Sequence, residues 1–80
     1  MKARIFVTLK PGVLDPQGQA IQGALGALGF DGVGSVRQGK VFDIMLENNI
    51  DAEARLNTMC ERLLANMVIE DYRVEVQERG

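Results

Sequence analysis

An α+β fold, with an antiparallel sheet covered on one face by two helices, is what this 80-residue sequence predicts, and three stretches carry that expectation. Leu56 to Val76 runs a helical period straight into a strand period. Ala3, Ile5, Val7 and Leu9 alternate near the start, and Phe42, Ile44 and Leu46 alternate in the middle. A helix that hands directly onto a one-sided strand must fold back against a sheet, and the two other alternating stretches supply it.

The first strand, Lys2 to Lys10, places Ala3, Ile5, Val7 and Leu9 on one face and Arg4, Phe6, Thr8 and Lys10 on the other. Phe6 is the odd member, a large aromatic on the polar side. Pro11 and Gly12 end the strand. Asp15-Pro16 reads as a helix start, an aspartate cap followed by proline at the first helical position. Ile21, Ala24, Leu25 and Leu28 form the apolar stripe, and Gly29 can close the helix in a left-handed conformation. Gly23 and Gly26 fall on the opposite face with Gln19 and Gln22; such a small, uncharged face either tolerates drift or lets another chain approach closely.

Phe30 to Glu47 reads as two strands joined by a tight turn near Gln38-Gly39-Lys40, with Gly39 supplying the backbone angles of the hairpin. The first of the two is weakly marked, because Val33 and Val36 do not share a face, and a bulge or a bend before Arg37 is expected. The second is clear: Phe42, Ile44 and Leu46 point one way, and Val41, Asp43, Met45 and Glu47 the other. Asp51 is expected to cap the second helix, with Glu53 in its first turn. Leu56, Met59, Cys60, Leu63, Leu64 and Met67 lie on one stripe of that helix. The last strand carries Tyr72, Val74 and Val76 on the inner side. The resulting βαββαβ order is the ferredoxin-like arrangement, a single domain over residues 1–80 with its first and third strands in the middle of the sheet.

Composition narrows the function. Hydrophobic residues make up 46% of the chain and charged ones 25%, a globular balance, and the net charge of −2 gives no electrostatic reason to expect nucleic acid or an anionic membrane. A domain of this length buries only about 60–65% of its unfolded surface, so its core is thin. There is no apolar run of transmembrane length and no secretory leader pattern, so a cytoplasmic protein is expected. The chain has no histidine and one cysteine, Cys60, whose place on the apolar stripe reads as a small buried hydrophobe. Without a histidine there is neither a Cys/His nucleophile pair nor the commonest general base. Gly39-Lys40 lacks the rest of a phosphate-binding loop. Glu70 and Asp71 point to opposite strand faces and read as a solvated edge paired to arginines such as Arg73. No catalytic, cofactor-binding or metal-binding set is expected.

Two surface features remain. Phe6, Val41 and Met45 would lie on the sheet face that no helix covers and form an apolar patch suited to self-association or to another protein chain, unless they are ordinary scattered surface hydrophobes. Val13, Leu14, Asp15 and Pro16 form a candidate contact with another protein chain; the alternative is a hydrophobic staple holding the helix entry.

The segments Val13-Leu14-Asp15-Pro16-Gln17-Gly18, Val36-Arg37-Gln38-Gly39-Lys40, Met59 to Asn66 and Val68-Ile69-Glu70-Asp71-Tyr72, in that order and spacing, resemble the PurS family, the small subunit of phosphoribosylformylglycinamidine synthase. The resemblance spans nearly the whole chain and departs from the family in the glycine-rich run of Gly23, Gly26, Gly29, Gly32 and Gly34. It implies a non-catalytic subunit of a glutamine-dependent ligase in purine biosynthesis. In such a complex a glutaminase subunit releases ammonia, and a large synthetase subunit uses ATP and magnesium to convert formylglycinamide ribonucleotide to formylglycinamidine ribonucleotide. The small subunit bridges the two, assists ammonia transfer, forms homodimers or larger assemblies, and itself binds none of ATP, magnesium or glutamine. Two other readings fit a fold of this class: a dimeric module that binds a small regulatory ligand, and a nucleic-acid binder on the open sheet. The acidic balance and the single aromatic on that face argue against the second.

Overall fold

The computed structural model describes residues 1–77. Strand β1 (Lys2–Leu9) is followed by helix α1 (Pro16–Ala27), strand β2 (Gly39–Met45), helix α2 (Ala52–Met59), a π-helical turn over Cys60–Leu64, and strand β3 (Glu70–Gln77). The sheet is antiparallel with the order β2-β1-β3, so β1 is central. This is the expected α+β, ferredoxin-like class.

The register stacks the inner face in rows, Ala3 with Ile44 and Val76, Ile5 with Phe42 and Val74, and Val7 with Lys40 and Tyr72. Residues directly opposite in a sheet share a face, so the alternation read from the sequence converges on one apolar layer. Helix α2 lies on that layer and adds Ala52, Leu56 and Cys60 to the buried core of Ala3, Ile5 and Val7.

Four local expectations need correction. The weakly marked strand before Gly39 does not form: residues 33–38 are irregular, and among the described residues the sheet has three strands rather than four. Glycines at 29, 32 and 34 raise the backbone entropy cost of an extended strand there, and Gly29 and Gly32 take left-handed φ values of 93° and 83°. The Gln22 amide instead donates to the carbonyls of Val33 and Gly34. As a result β2, expected in the middle, is an edge strand.

Gly39 is also not a turn residue. It sits opposite Thr8 at the start of β2, where a Cβ would come within 2.5 Å of the Val7 carbonyl oxygen, so close backbone approach is what excludes a side chain there.

Asp51 stands at the start of α2 without capping it through its side chain; its φ is 47°. Asn48 takes over the polar work of that corner, since its Oδ1 accepts from the Ile50 amide at 3.0 Å and from Arg55 at 3.1 Å.

The helical stripe from Leu56 breaks at Cys60. The Ala65 amide donates to the Cys60 carbonyl at 2.9 Å, five residues back, and this wider turn rotates Leu63 away from the sheet. Leu63 is 82% exposed, and Met67 is exposed as well, while Leu56 and Cys60 remain buried.

The two helices are placed differently. Helix α2 packs on the sheet, whereas among the described residues α1 makes no substantial packing contact with any strand. The chain measures 49 × 28 × 14 Å with a radius of gyration of 16.0 Å, against about 12 Å for a compact domain of this length. Within one chain α1 is an outrigger.

Candidate functional site

The outrigger is anchored by a polar latch built from the loop after β1 and the segment before β2. Asp15 caps α1 as expected: its Oδ1 accepts from the Gly18 amide at 2.8 Å, and Pro16 occupies the first turn. Its other oxygen accepts from the Gln38 amide at 2.8 Å, so one buried carboxylate joins the helix start to the distant segment. Arg37 returns the contact. Its guanidinium donates to the carbonyls of Val13 at 2.9 Å, Lys10 at 3.1 Å and Leu9 at 3.3 Å. Gln38 Nε2 donates to Gln17 Oε1 at 2.6 Å. Gly18 lies under this knot, where a Cβ would stand 2.1 Å from the Val36 carbonyl oxygen.

The amides of Gln38 and Gly18 hold the Asp15 carboxyl below the ordinary carboxylate range, with Arg37 adding to the effect. A lowered pKa means the latch is fully formed above the unfolded value of about 3.9 and is lost as the pH falls through the lower, folded value. Amide exchange at Gln38 and Gly18 is therefore expected to accelerate on acidification below about pH 4 beyond the intrinsic trend. The extra acceleration should vanish in Asp15→Asn; if that variant kept it, another group would be the titrating one.

Of the proposed subunit-contact residues, Asp15 and Pro16 thus belong to the latch. Val13 is half-buried, and its carbonyl is held by Arg37. Leu14 is 66% exposed. A staple would need an apolar residue at the fourth helical position, and that position is Gln19, so Leu14 is left facing solvent.

On the open sheet face Phe6 and Val41 are opposite each other, but Met45 lies two rows away beside Lys2. The row between them is charged: Arg4 Nε is 2.8 Å from Asp43 Oδ1, and Glu75 is the third member. Arg73 lies over the Phe6 ring, 4.2 Å from its centroid, and pairs with Glu75. The three apolar residues therefore do not form one contiguous patch. The partners expected for Glu70 and Asp71 also change: Asp71 faces Lys10 at 3.7 Å, and Glu70 approaches Lys40 at 3.9 Å.

The remaining motif residues build a corner. Asn66 Oδ1 accepts from the Val68 amide at 3.1 Å, and a Glu70 carboxylate oxygen accepts from the Asn66 amide at 2.7 Å, which turns the π-helical segment into β3. Cys60 is buried, and burial pushes its thiol pKa up, consistent with a core residue and opposite to a reactive thiolate. Among the described residues no cluster of three or more His, Cys, Asp or Glu side chains could hold a metal ion.

Arg37, Gln38, Gln22, Asn66 and Glu70 are structural residues whose roles periodicity could not reveal. Most of their partners are backbone groups, and a sequence pattern does not place carbonyls.

A small α+β domain whose distinctive features are a latched, projecting helix and large apolar side chains left exposed on it and beside it, Leu14, Leu28 and Leu63 among them, is an assembly module, built to be held by other chains. Residues 2–78 match the family model described as PurS, phosphoribosylformylglycinamidine (FGAM) synthase. The chain is 53% identical to the phosphoribosylformylglycinamidine synthase subunit PurS of Synechocystis sp. over 91% of its own length and 75% of that protein's. It is 47% identical to the PurS subunit of Bacillus subtilis, covering 96% and 93%. The crystal structure of Bacillus subtilis PurS superposes with a TM-score of 0.89 at 47% identity, covering 96% of this chain and 98% of that one. A chain in the structure of PurLQS from Thermotoga maritima gives 0.77 at 34% identity, covering 92% and 93%. The chain belongs to the PurS family.

Proposed function

We infer that this chain is the small subunit of phosphoribosylformylglycinamidine synthase and acts in purine biosynthesis. The observation that carries the reading is the match over nearly the whole length of both proteins, in sequence and in fold, to relatives bearing that name. Its partners are a large synthetase subunit and a glutaminase subunit, as in the PurLQS assembly of Thermotoga maritima. The chain also self-associates, and the complex works in the cytoplasm, where a ligase of purine biosynthesis meets its soluble nucleotide substrates.

The chemistry explains why such a subunit is needed. Ammonia set free in water at neutral pH is mostly protonated and is no longer a nucleophile, so the site that releases it and the site that consumes it must be docked together. A small adaptor that holds two large subunits in one geometry lowers the entropy cost of that juxtaposition. ATP, magnesium and glutamine are bound by the partners, and this chain contributes surfaces. Reconstitution tests the assignment. With the two partner subunits, glutamine-dependent formation of formylglycinamidine ribonucleotide should require this chain, and activity that is unchanged in its absence would reject the role.

Leu14, the exposed residue beside the latch, is our candidate contact with a larger subunit. Leu14→Ser should leave the fold intact and weaken assembly with the partners by about 10-fold, read by surface plasmon resonance. Undiminished affinity would move the contact elsewhere.

A further inference from the structure

We propose that Arg37 is a positioning residue for assembly: it clamps the turn that precedes Leu14 and so presents that side chain to a larger subunit in one fixed direction. The proposal deepens the Leu14 contact of the preceding subsection and rests on it.

A leucine on an exposed loop is ordinarily a poor anchor, because the loop must be ordered when the complex forms and that entropy cost is subtracted from the contact. Here the order is already in place. Residues 10–13 form a tight turn in which the Val13 amide donates to the Lys10 carbonyl at 3.1 Å. Pro11 takes the second position and Gly12, with a φ of 86°, the third, which is the arrangement of a type II turn. Such a turn fixes its own residues but not its direction relative to the sheet.

Arg37 fixes that direction. Its Nη2 donates to the carbonyls of Leu9 at 3.3 Å and Lys10 at 3.1 Å, and its Nη1 donates to the Val13 carbonyl at 2.9 Å. Leu9 is the last residue of β1, and Lys10 and Val13 open and close the turn. One planar group therefore ties the end of the strand to both ends of the turn. The Val13 carbonyl belongs to the peptide unit that joins Val13 to Leu14, so the guanidinium holds the plane from which Leu14 starts. On the far side, the Asp15 carboxylate is held by the amides of Gly18 and Gln38, each at 2.8 Å. Leu14 stands between two clamped neighbours with its side chain largely exposed. A side chain held this way gives up little freedom on docking. Both terminal nitrogens of Arg37 are engaged within the chain, so its action on a partner runs through Leu14.

The test is a double-mutant cycle on the full-length chain, with affinity for the two partner subunits read by surface plasmon resonance. The Arg37 bonds lie at the surface, away from the core of the sheet and α2, so Arg37→Ala should keep the wild-type circular dichroism spectrum. Leu14→Ser and Arg37→Ala should each weaken assembly by about 10-fold. The double variant should also be weaker by about 10-fold rather than about 100-fold, because a clamp has nothing to present once Leu14 is gone. Arg37→Lys keeps the charge but offers its donors from a single atom, and it should be as weak as Arg37→Ala. A loss of about 100-fold in the double variant, wild-type affinity in Arg37→Ala, or full affinity in Arg37→Lys would each overturn the positioning role while leaving the Leu14 contact in place. Undiminished affinity in Leu14→Ser would remove the contact and the positioning role together.

Discussion

Leu56→Ala is expected to lower the stability of this domain by about 3 kcal/mol, or roughly 15 °C in Tm for a chain of this size. Leu56 is fully buried, in the same core as Ile5, Val7 and Cys60. It belongs to α2, the helix that packs on the sheet, so little else is available to collapse into the space that truncation leaves. The large figure follows from how few residues make the core. Four side chains, Ile5, Leu56, Val7 and Cys60, are the largest of those fully buried, and α1 contributes none. The loss should be read by thermal denaturation at fixed protein concentration, because association adds stability by mass action. A loss below about 1 kcal/mol would mean that the helix shifts to refill the site.

Leu63→Ala, seven residues further on the same nominal stripe, should cost almost nothing in the isolated chain, because it is already solvent-exposed. The contrast between these two leucines marks how far the sequence could be read. A period of 3.6 residues gives both the same face, and it identifies Leu56, Met59 and Cys60 correctly. The extra residue of the π-helical turn enters at Cys60 and shifts the phase, so that Leu64 still reaches the core while Leu63 and Met67 do not, and no side-chain pattern announces such a turn.

The three strands were legible for the reason that Leu56 was: each has a one-sided apolar face whose register is fixed by burial. Residues 30–38 have no such face. Their order comes from Arg37, Gln38 and Gln22 holding backbone and polar groups, which leaves no trace in hydropathy. The apolar open-face residues were identified individually, but alternation along single strands could not show that the Arg4, Asp43 and Glu75 row separates Met45 from Phe6 and Val41. The Asp15-Pro16 helix start was readable because a cap acts within three residues, whereas the second bond of the same carboxylate, to Gln38, spans 23.

That second bond gives a glycine substitution its unusual sign. In a helix interior Gly→Ala ordinarily adds about 1 kcal/mol of stability, and Gly23→Ala and Gly26→Ala should do so here, since a Cβ at either position meets nothing within 4 Å. Gly18→Ala should do the reverse. Its Cβ would lie 2.1 Å from the Val36 carbonyl oxygen and 2.9 Å from the Asp15 carboxylate, so the segment holding Gln38 must move and the cap must loosen. The sheet and α2 do not depend on that contact, so circular dichroism of the core should persist while the root of α1 becomes free to pivot. The latch also holds Leu14, the candidate contact with a larger subunit, so Gly18→Ala should reduce glutamine-dependent activity of the reconstituted complex by about 10-fold, equivalent to about 1.4 kcal/mol in the association steps. Full activity with wild-type assembly would show that the latch shapes the free chain only. Loss of assembly in Gly23→Ala or Gly26→Ala, with higher thermal stability of the chain itself, would instead locate a close backbone approach of another chain on the glycine face of α1.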